Sequence, residues 1–225
     1  MRMTQETPRN ESLLGLLRGV EDFSDKVFPE PGNRKLFGEL AEGQSPHTLF
    51  ITCADSRVVP EMITQTQPGE LFVCRNIGNI VPGYGEMLGG VSAVVEYAVA
   101  VLGVRHIVIC GHTDCGAMKG LLNPESTRDL PTVEAWLRNA QAARSAVFAR
   151  KLEGAEAMQA VIEENVRLQL THLRTHPAVA AALANGTIAL QGWVYGIGDG
   201  KVAVLDEDSL KFIPLAEAIQ REHNA

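Results

Sequence analysis

Residues 106–117 read His106-Ile107-Val108-Ile109-Cys110-Gly111-His112-Thr113-Asp114-Cys115-Gly116-Ala117. His106 to Cys110 is a short apolar run of β-branched character, ended by Gly111. An alternating pattern would mark a sheet with one wet face; a continuous run marks a strand buried on both faces. Such strands belong to parallel sheets covered by helices. Directly behind the strand come a histidine and a cysteine three residues apart, with glycines on either side.

The rest of the chain agrees with this reading. Thr48 to Thr52 reads as a strand, and so does Glu70 to Cys74, set off by Pro68-Gly69. A helix is expected over Ser92 to Leu102, between the second and third strands. Thr187 to Trp193 and Lys201 to Leu205 read as a closing pair, turning through Gly198-Asp199-Gly200 and antiparallel at one edge. From Thr132 to Thr175 the pattern is long and helical, with Glu163, Glu164 and Arg167 on an exposed side. At the front, Leu13, Leu14, Leu17, Val20, Phe23 and Val27 form an apolar helical stripe within Glu11 to Leu40, punctuated by Pro29, Pro31 and Gly32. The expected fold is α/β: a mostly parallel central β-sheet flanked by helices, with an N-terminal helical arm and an antiparallel edge hairpin. Asn123 to Ser126 and Glu153-Gly154 read as loops, not boundaries. One domain over 1–225 is expected, with 1–10 flexible.

Composition excludes several classes. The chain has 225 residues, 45% of them hydrophobic, enough for a sizeable core. Its 27 acidic residues outnumber 20 basic ones, giving a net charge of −7. That balance argues against nucleic-acid binding, which needs clustered Lys and Arg. No apolar run reaches spanning length; Val91 to Cys110 is interrupted by Glu96, Arg105 and His106. Met1 to Asn10 is polar and reads as no export signal. Four cysteines, Cys53, Cys74, Cys110 and Cys115, are too few for a disulfide framework, so a reducing cytoplasm is the expected location.

Two segments carry chemistry. Cys53-Ala54-Asp55-Ser56-Arg57 follows the first strand, and His112-Thr113-Asp114-Cys115-Gly116 follows the third. Both lie at carboxyl ends of strands, where open α/β sheets bind ligands. Alone, His112 reads as a satisfied core histidine. With Cys53 arriving from a neighbouring strand about 5 Å away, Cys53, His112 and Cys115 form a zinc set of thiolate sulfur and imidazole nitrogen. Three ligands, not four, leave a position open for chemistry. Zinc with two thiolates and a neutral imidazole has no net charge, so neighbouring groups must help activate water. If the extended backbone continues, Asp55 and Arg57 share a side with Cys53. Arg57 can then hold Asp55 ionised by a bidentate pair, and Asp55 can accept a hydrogen bond from water or hydroxide on the metal. Elsewhere such a pair is more often a plain capping salt bridge.

Other residues read blandly. Cys74 and Cys110 are buried thiols, Cys110 pointing away from the site by alternation. His172 and His176, four apart, could pair on a metal, but Pro177 disfavours helix at His176. Gly83-Tyr84-Gly85 lacks the spacing of a dinucleotide fingerprint. His47, His106 and His223 have no evident partner.

These motifs together resemble the β-class carbonic anhydrases. The resemblance rests on Cys53 to Arg57, on Arg75-Asn76-Ile77-Gly78-Asn79, on Gly90 with Glu96-Tyr97-Ala98, on Cys110 to Ala117, and on Gly192-Trp193-Val194-Tyr195. It covers most of the chain and looks most like bacterial members, including cyanate-linked ones, and their cyanobacterial relatives. It implies reversible hydration of carbon dioxide to bicarbonate and a proton, one zinc held by Cys53, His112 and Cys115, and catalysis by an Asp55–Arg57 dyad. It implies a substrate pocket from Gln44, Phe72, Ile77, Tyr97 and Gly116. Gln44 and the Gly116 amide would donate to substrate oxygen, and the other three would form an apolar wall. It implies a homodimer or a higher homo-oligomer, tetramer or octamer, with no membrane or nucleic-acid partner. A second subtype is switched off by bicarbonate in a pocket of Trp, Arg and Tyr. Arg75 and Tyr195 match two of these, but Phe50 stands at the Trp position, so this chain resembles the unswitched subtype. Two other readings remain at this stage: a hydrolase of carbon disulfide or carbonyl sulfide, and a non-catalytic zinc or redox module.

Overall fold

The computed structural model describes residues 9–86 and 89–224. The expected flexible segment 1–10 falls mostly outside them; Arg9 and Asn10 already begin the first helix. The contacts divide the chain into two compact units, Met1–Gln44 and Ser45–Ala225. In the first unit, α1 (Arg9–Asp22) runs into a π-type turn, Phe23–Val27, closed by Phe28 N–H on the Phe23 carbonyl at 2.7 Å. Helix α2 (Pro31–Ala41) follows, with Pro31 in its first turn, where a missing N–H leaves no bond unmade. The rings of Phe23, Phe28 and Phe37 meet at centroid distances of 5.6 to 6.2 Å. None of the described residues of this unit is buried.

The second unit holds the sheet. Its elements are β1 (Thr48–Cys53), α3 (Pro60–Thr64), β2 (Leu71–Asn76), α4 (Gly90–Glu96), β3 (His106–His112), α5 (Gly116–Leu122), α6 (Pro131–Leu137), α7 (Gln141–Ala149), α8 (Gly154–Leu173), α9 (Pro177–Ala184), β4 (Ala189–Tyr195), β5 (Val202–Asp206), β6 (Lys211–Pro214) and α10 (Leu215–Asn224). The six strands run in the order β2-β1-β3-β4-β5-β6. The first four are parallel, and β4–β5 and β5–β6 are antiparallel. The α/β class, the parallel sheet and the antiparallel pair follow the sequence reading.

Three details differ from it. Strand β6 lies beyond β5 as the true edge; it is four residues long and ends in Pro214, which only an edge strand tolerates. The expected helix over 92–102 begins at Gly90 and passes into a π-type turn, Tyr97–Val101. The long helical stretch is three helices, broken by a 3-10 turn at Arg138–Ala140 and by left-handed Lys151 and Gly154.

Alternation sorts the strands into two faces. Leu49, Ile51, Cys53, Ile107 and Ile109 join the main core, with Val161, Ile162, Val166 and Leu170 of α8. Each fully buried aliphatic side chain there stabilises by about 1.5–3 kcal/mol. Phe50, Val108 and Cys110 form a smaller cluster with Leu71, Val73, Trp193 and Tyr195. Two glycines let α8 lie close on the sheet: a Cβ at Gly111 or Gly192 would come within 2.9 Å of Val166. This close packing fixes the end of β3, where the chemistry lies. Among the described residues, no helix is long and apolar enough to cross a membrane.

Candidate metal centre

Strands β1 and β3 are parallel neighbours in register, Thr52 opposite Cys110. Cys53 therefore ends β1 beside the last turn of β3. His112 ends β3, Thr113 and left-handed Asp114 turn the chain, and Cys115 precedes α5 in extended conformation. The Sγ atoms of Cys53 and Cys115 and a ring nitrogen of His112 lie within 4.8 Å of one another. All three residues are at most 5% exposed.

The donor set fits a metal by its own chemistry. His112 Nδ1 donates to the Thr113 carbonyl at 2.8 Å. That bond leaves Nε2 as a lone-pair acceptor, and buried Nε2 has no hydrogen-bond partner. A buried acceptor without a partner costs about 1–3 kcal/mol; a cation there removes the penalty. The two thiols sense each other. The Cys53 sulfur, hydrogen-bonded first by Cys115 and also by the Gly78 N–H, is shifted towards thiolate. Cys115, facing Cys53 and buried, is held as thiol. Burial opposes a charge on His112, but the adjacent Cys53 sulfur, the Thr113 carbonyl and the Asp55 carboxylate together outweigh it and raise its proton affinity. Two sulfurs and one imidazole suit zinc.

The surroundings are ordered by polar groups. Gly78 N–H donates to Cys53 Sγ at 3.4 Å. Its φ of +77° and the 2.9 Å approach of Ala117 Cβ to a Cβ built there admit only glycine. From α8, Asn165 Nδ2 donates to the Gly78 carbonyl at 3.0 Å. Gln169 Nε2 donates to Asn165 Oδ1 at 2.8 Å, and Gln169 Oε1 accepts from Val81 N–H at 2.9 Å. The sequence reading missed this ladder. Its signal was present: two polar residues four apart on the apolar stripe of α8. His172 and His176 continue the ladder to the carbonyls of Val81 and Pro82 at 2.7 and 3.0 Å, so they brace a loop. Arg75 donates to the carbonyls of Cys53 at 3.2 Å and Asp55 at 2.6 Å.

Asp55 and Arg57 do meet, though not by continuing the strand. The chain turns at Asp55, whose carbonyl accepts from Val58 N–H at 3.0 Å. Arg57 then folds back: Nε donates to Asp55 Oδ1 at 2.9 Å and Nη2 to Oδ2 at 2.7 Å. The Arg57 backbone N–H also donates to Oδ1 at 3.0 Å. These bonds, the Arg57 side chain foremost, hold the Asp55 carboxyl far below the usual carboxylate range. Asp55 Oδ2 lies 3.9 Å from His112 Nε2, so an ionised carboxylate borders the imidazole of the ligand set.

The remaining expected residues lie as follows. Phe72 shares a sheet face with Leu49 and packs against the main core; its ring meets Tyr97 at 6.1 Å. Ile77 is exposed, and its carbonyl accepts from Trp136 Nε1 at 2.8 Å. Gly116 opens α5, one residue beyond Cys115. Gln44 is exposed at the end of the first unit. Cys110 lies on the opposite face, its thiol pushed up to about 12 by burial, and buried Cys74 is raised for the same reason. A groove of about 900 Å³ lies elsewhere, along Val194, Tyr195, Val202, Phe212 and Ile213; no residue of the trio lines it.

Comparison with known proteins bears on this centre. The family model described as carbonic anhydrase matches residues 48–202. A carbonic anhydrase of Pseudomonas aeruginosa is 54% identical over 188 residues, covering 83% of this chain and 86% of that protein. The solved β-carbonic anhydrase CcaA superposes with a TM-score of 0.86 at 41% identity, covering 90% of this chain and 99% of that one. A tetrameric β-carbonic anhydrase of Sordaria macrospora superposes with a TM-score of 0.77 at 30% identity, covering 87% and 97%.

Proposed function

Because the chain belongs to the β-class carbonic anhydrase family, we propose that its zinc-dependent hydration of carbon dioxide runs through Asp55 held by Arg57. Cys53, His112 and Cys115 would hold the zinc. When bound, zinc supplies the Lewis acidity that makes water a nucleophile near neutral pH. Asp55 then does what a carboxylate locked in the ionised form can do: it accepts, and never donates. A hydrogen-bonding oxygen beside it is thereby oriented, with one lone pair aimed at the carbon of carbon dioxide. Bicarbonate forms, and the proton released passes to solvent. Arg57 keeps Asp55 charged and fixed through two parallel N–H···O bonds. The observation that supports this reading is that fork, set 3.9 Å from an orphaned ligand nitrogen.

The substrate is small, linear and apolar. Phe72, Ile77 and Tyr97 are assigned as its apolar wall, and the Gly116 N–H as a donor to its oxygen. With Phe50 wedged edge-on against Trp193 at 5.8 Å, and Arg75 engaged on the carbonyls of Cys53 and Asp55, the unswitched subtype is assigned. Added bicarbonate is therefore expected to produce no steep cooperative loss of activity below neutral pH. Exposed Leu13, Leu16, Leu17 and Val20 in α1 favour at least a dimer, which sedimentation equilibrium would measure. Four free cysteines fit a reducing cytoplasm.

The test is zinc content and stopped-flow carbon dioxide hydration on the native protein and on Asp55→Asn. Retained zinc with most activity lost supports the assignment, and unchanged turnover removes Asp55 from the mechanism. Carbon disulfide and carbonyl sulfide in the same assay test the hydrolase reading, and zinc-loaded but inactive native protein would favour a binding module.

A further inference from the structure

The Arg57 guanidinium is held from two sides. Its Nε and Nη2 are on Asp55. On its other edge, Nη1 donates to Asp114 Oδ2 at 2.9 Å, and Nη2 also reaches the Asp114 backbone carbonyl at 3.4 Å. We infer that Asp114 is a positioning residue that keeps the Arg57 fork on Asp55. The inference rests on the Asp55–Arg57 reading above.

An exposed ion pair alone holds a long side chain weakly. The Arg57 side chain is 45% exposed, and water competes for each of its five N–H groups. A second acceptor on the far edge of the same plane removes the freedom to swing, provided that acceptor is itself fixed. Asp114 is fixed three ways. Its φ of +59° places it in the left-handed region, which few residues other than Gly, Asn and Asp occupy readily. Its Oδ1 is taken by Lys119 of α5. The turn it belongs to is tied to β4: Thr113 N–H donates to the Tyr195 carbonyl at 2.9 Å, and Thr113 Oγ1 accepts from Ile197 N–H at 3.0 Å.

The location gives this contact its meaning. Asp114 sits between His112 and Cys115, in the turn that carries two metal ligands. Arg57 sits in the turn after Cys53, which carries the third. The Arg57–Asp114 pair therefore bridges the two ligand-bearing turns and sets the Asp55 carboxylate relative to both. A plain surface salt bridge would carry no such coupling, and the two cases separate by experiment.

Asp114→Asn keeps the size and the left-handed tolerance while removing the charge. Asp114→Gly relaxes the backbone altogether and so separates the carboxylate from the turn. Both are expected to lower kcat about tenfold with KM little changed, with zinc content and melting temperature as in the parent. On an Arg57→Ala background, Asp114→Asn is expected to change kcat less than about twofold, because its target is gone. Independently of activity, phenylglyoxal should label Arg57 several-fold faster in Asp114→Asn, read by mass spectrometry of its peptide, with other arginines unaffected. Native-like kcat and labelling in Asp114→Asn, while Arg57→Ala is impaired, would overturn the inference and leave the dyad standing. An equal loss on the Arg57→Ala background, or loss of zinc in both Asp114 variants, would also overturn it. Unimpaired Arg57→Ala would sink the dyad and this inference together.

Discussion

Two Asp–Arg–acid networks sit at opposite ends of the sheet. At the carboxyl end of β1, Arg57 lies between Asp55 and Asp114. Next to the far edge, Arg221 of α10 lies between Asp206 of β5, at 2.6 Å, and Glu217, at 2.7 Å. Both aspartates are held below the usual carboxylate range, Asp55 first by Arg57 and Asp206 first by the Ser209 hydroxyl. By bond lengths and charge the two could be exchanged. The difference is what each aspartate faces: Asp55 Oδ2 borders a buried imidazole nitrogen with no partner, whereas Asp206 fastens a helix to β5, the strand inside the edge. A strong pair is thus a structural device by default, and its neighbour makes it a chemical one.

The comparison can be broken most severely by removing that neighbour. Cys53→Ser or Cys115→Ser should lose zinc, measured by elemental analysis, and reduce hydration by at least about a thousandfold. Asp55→Asn should keep zinc and lose about 10²–10³-fold in kcat, while Asp206→Asn keeps kcat within about twofold of the parent. Stopped-flow traces of the two variants side by side would decide it, and equal effects would erase the distinction. A smaller effect concerns acid. A carboxyl depressed in the native state contributes stability above its unfolded pKa and loses it as pH falls through the native value. The melting-temperature gap between the parent and Asp206→Asn should therefore be full at neutral pH and close only below the ordinary carboxylate range, near about 4. The smallest effect should come from Cys110→Ala on the opposite face, which leaves zinc content and kcat unchanged.

Much of this was legible in the sequence, for physical reasons. Cys53, His112 and Cys115 could be read because strand ends, glycine stops and a three-residue spacing are local signals, and parallel strands bring their carboxyl ends together. Cys110 falls on the face opposite Cys53 because it pairs with Thr52 across the parallel register, although it shares strand parity with His112. Strand β6 was not legible: four residues ending in proline carry no period, and only pairing with β5 makes them a strand. Asn165 and Gln169 were hidden because their partners are backbone groups of a loop nearly ninety residues earlier in the chain. Asp114 belongs to a legible motif, yet its grip on Arg57 depends on a left-handed turn that the residue type permits but does not announce.

The claim on which the account turns is a three-ligand centre whose remaining corner is not filled by the protein, with Asp55 reserved for Arg57. Anomalous diffraction at the zinc edge from crystals of the native protein tests it most directly. The account predicts one zinc per chain on Cys53, His112 and Cys115, a fourth ligand that does not come from the chain, and both Asp55 oxygens still on Arg57. Zinc absent from these three residues, or Asp55 bound to the metal with Arg57 released, would contradict it.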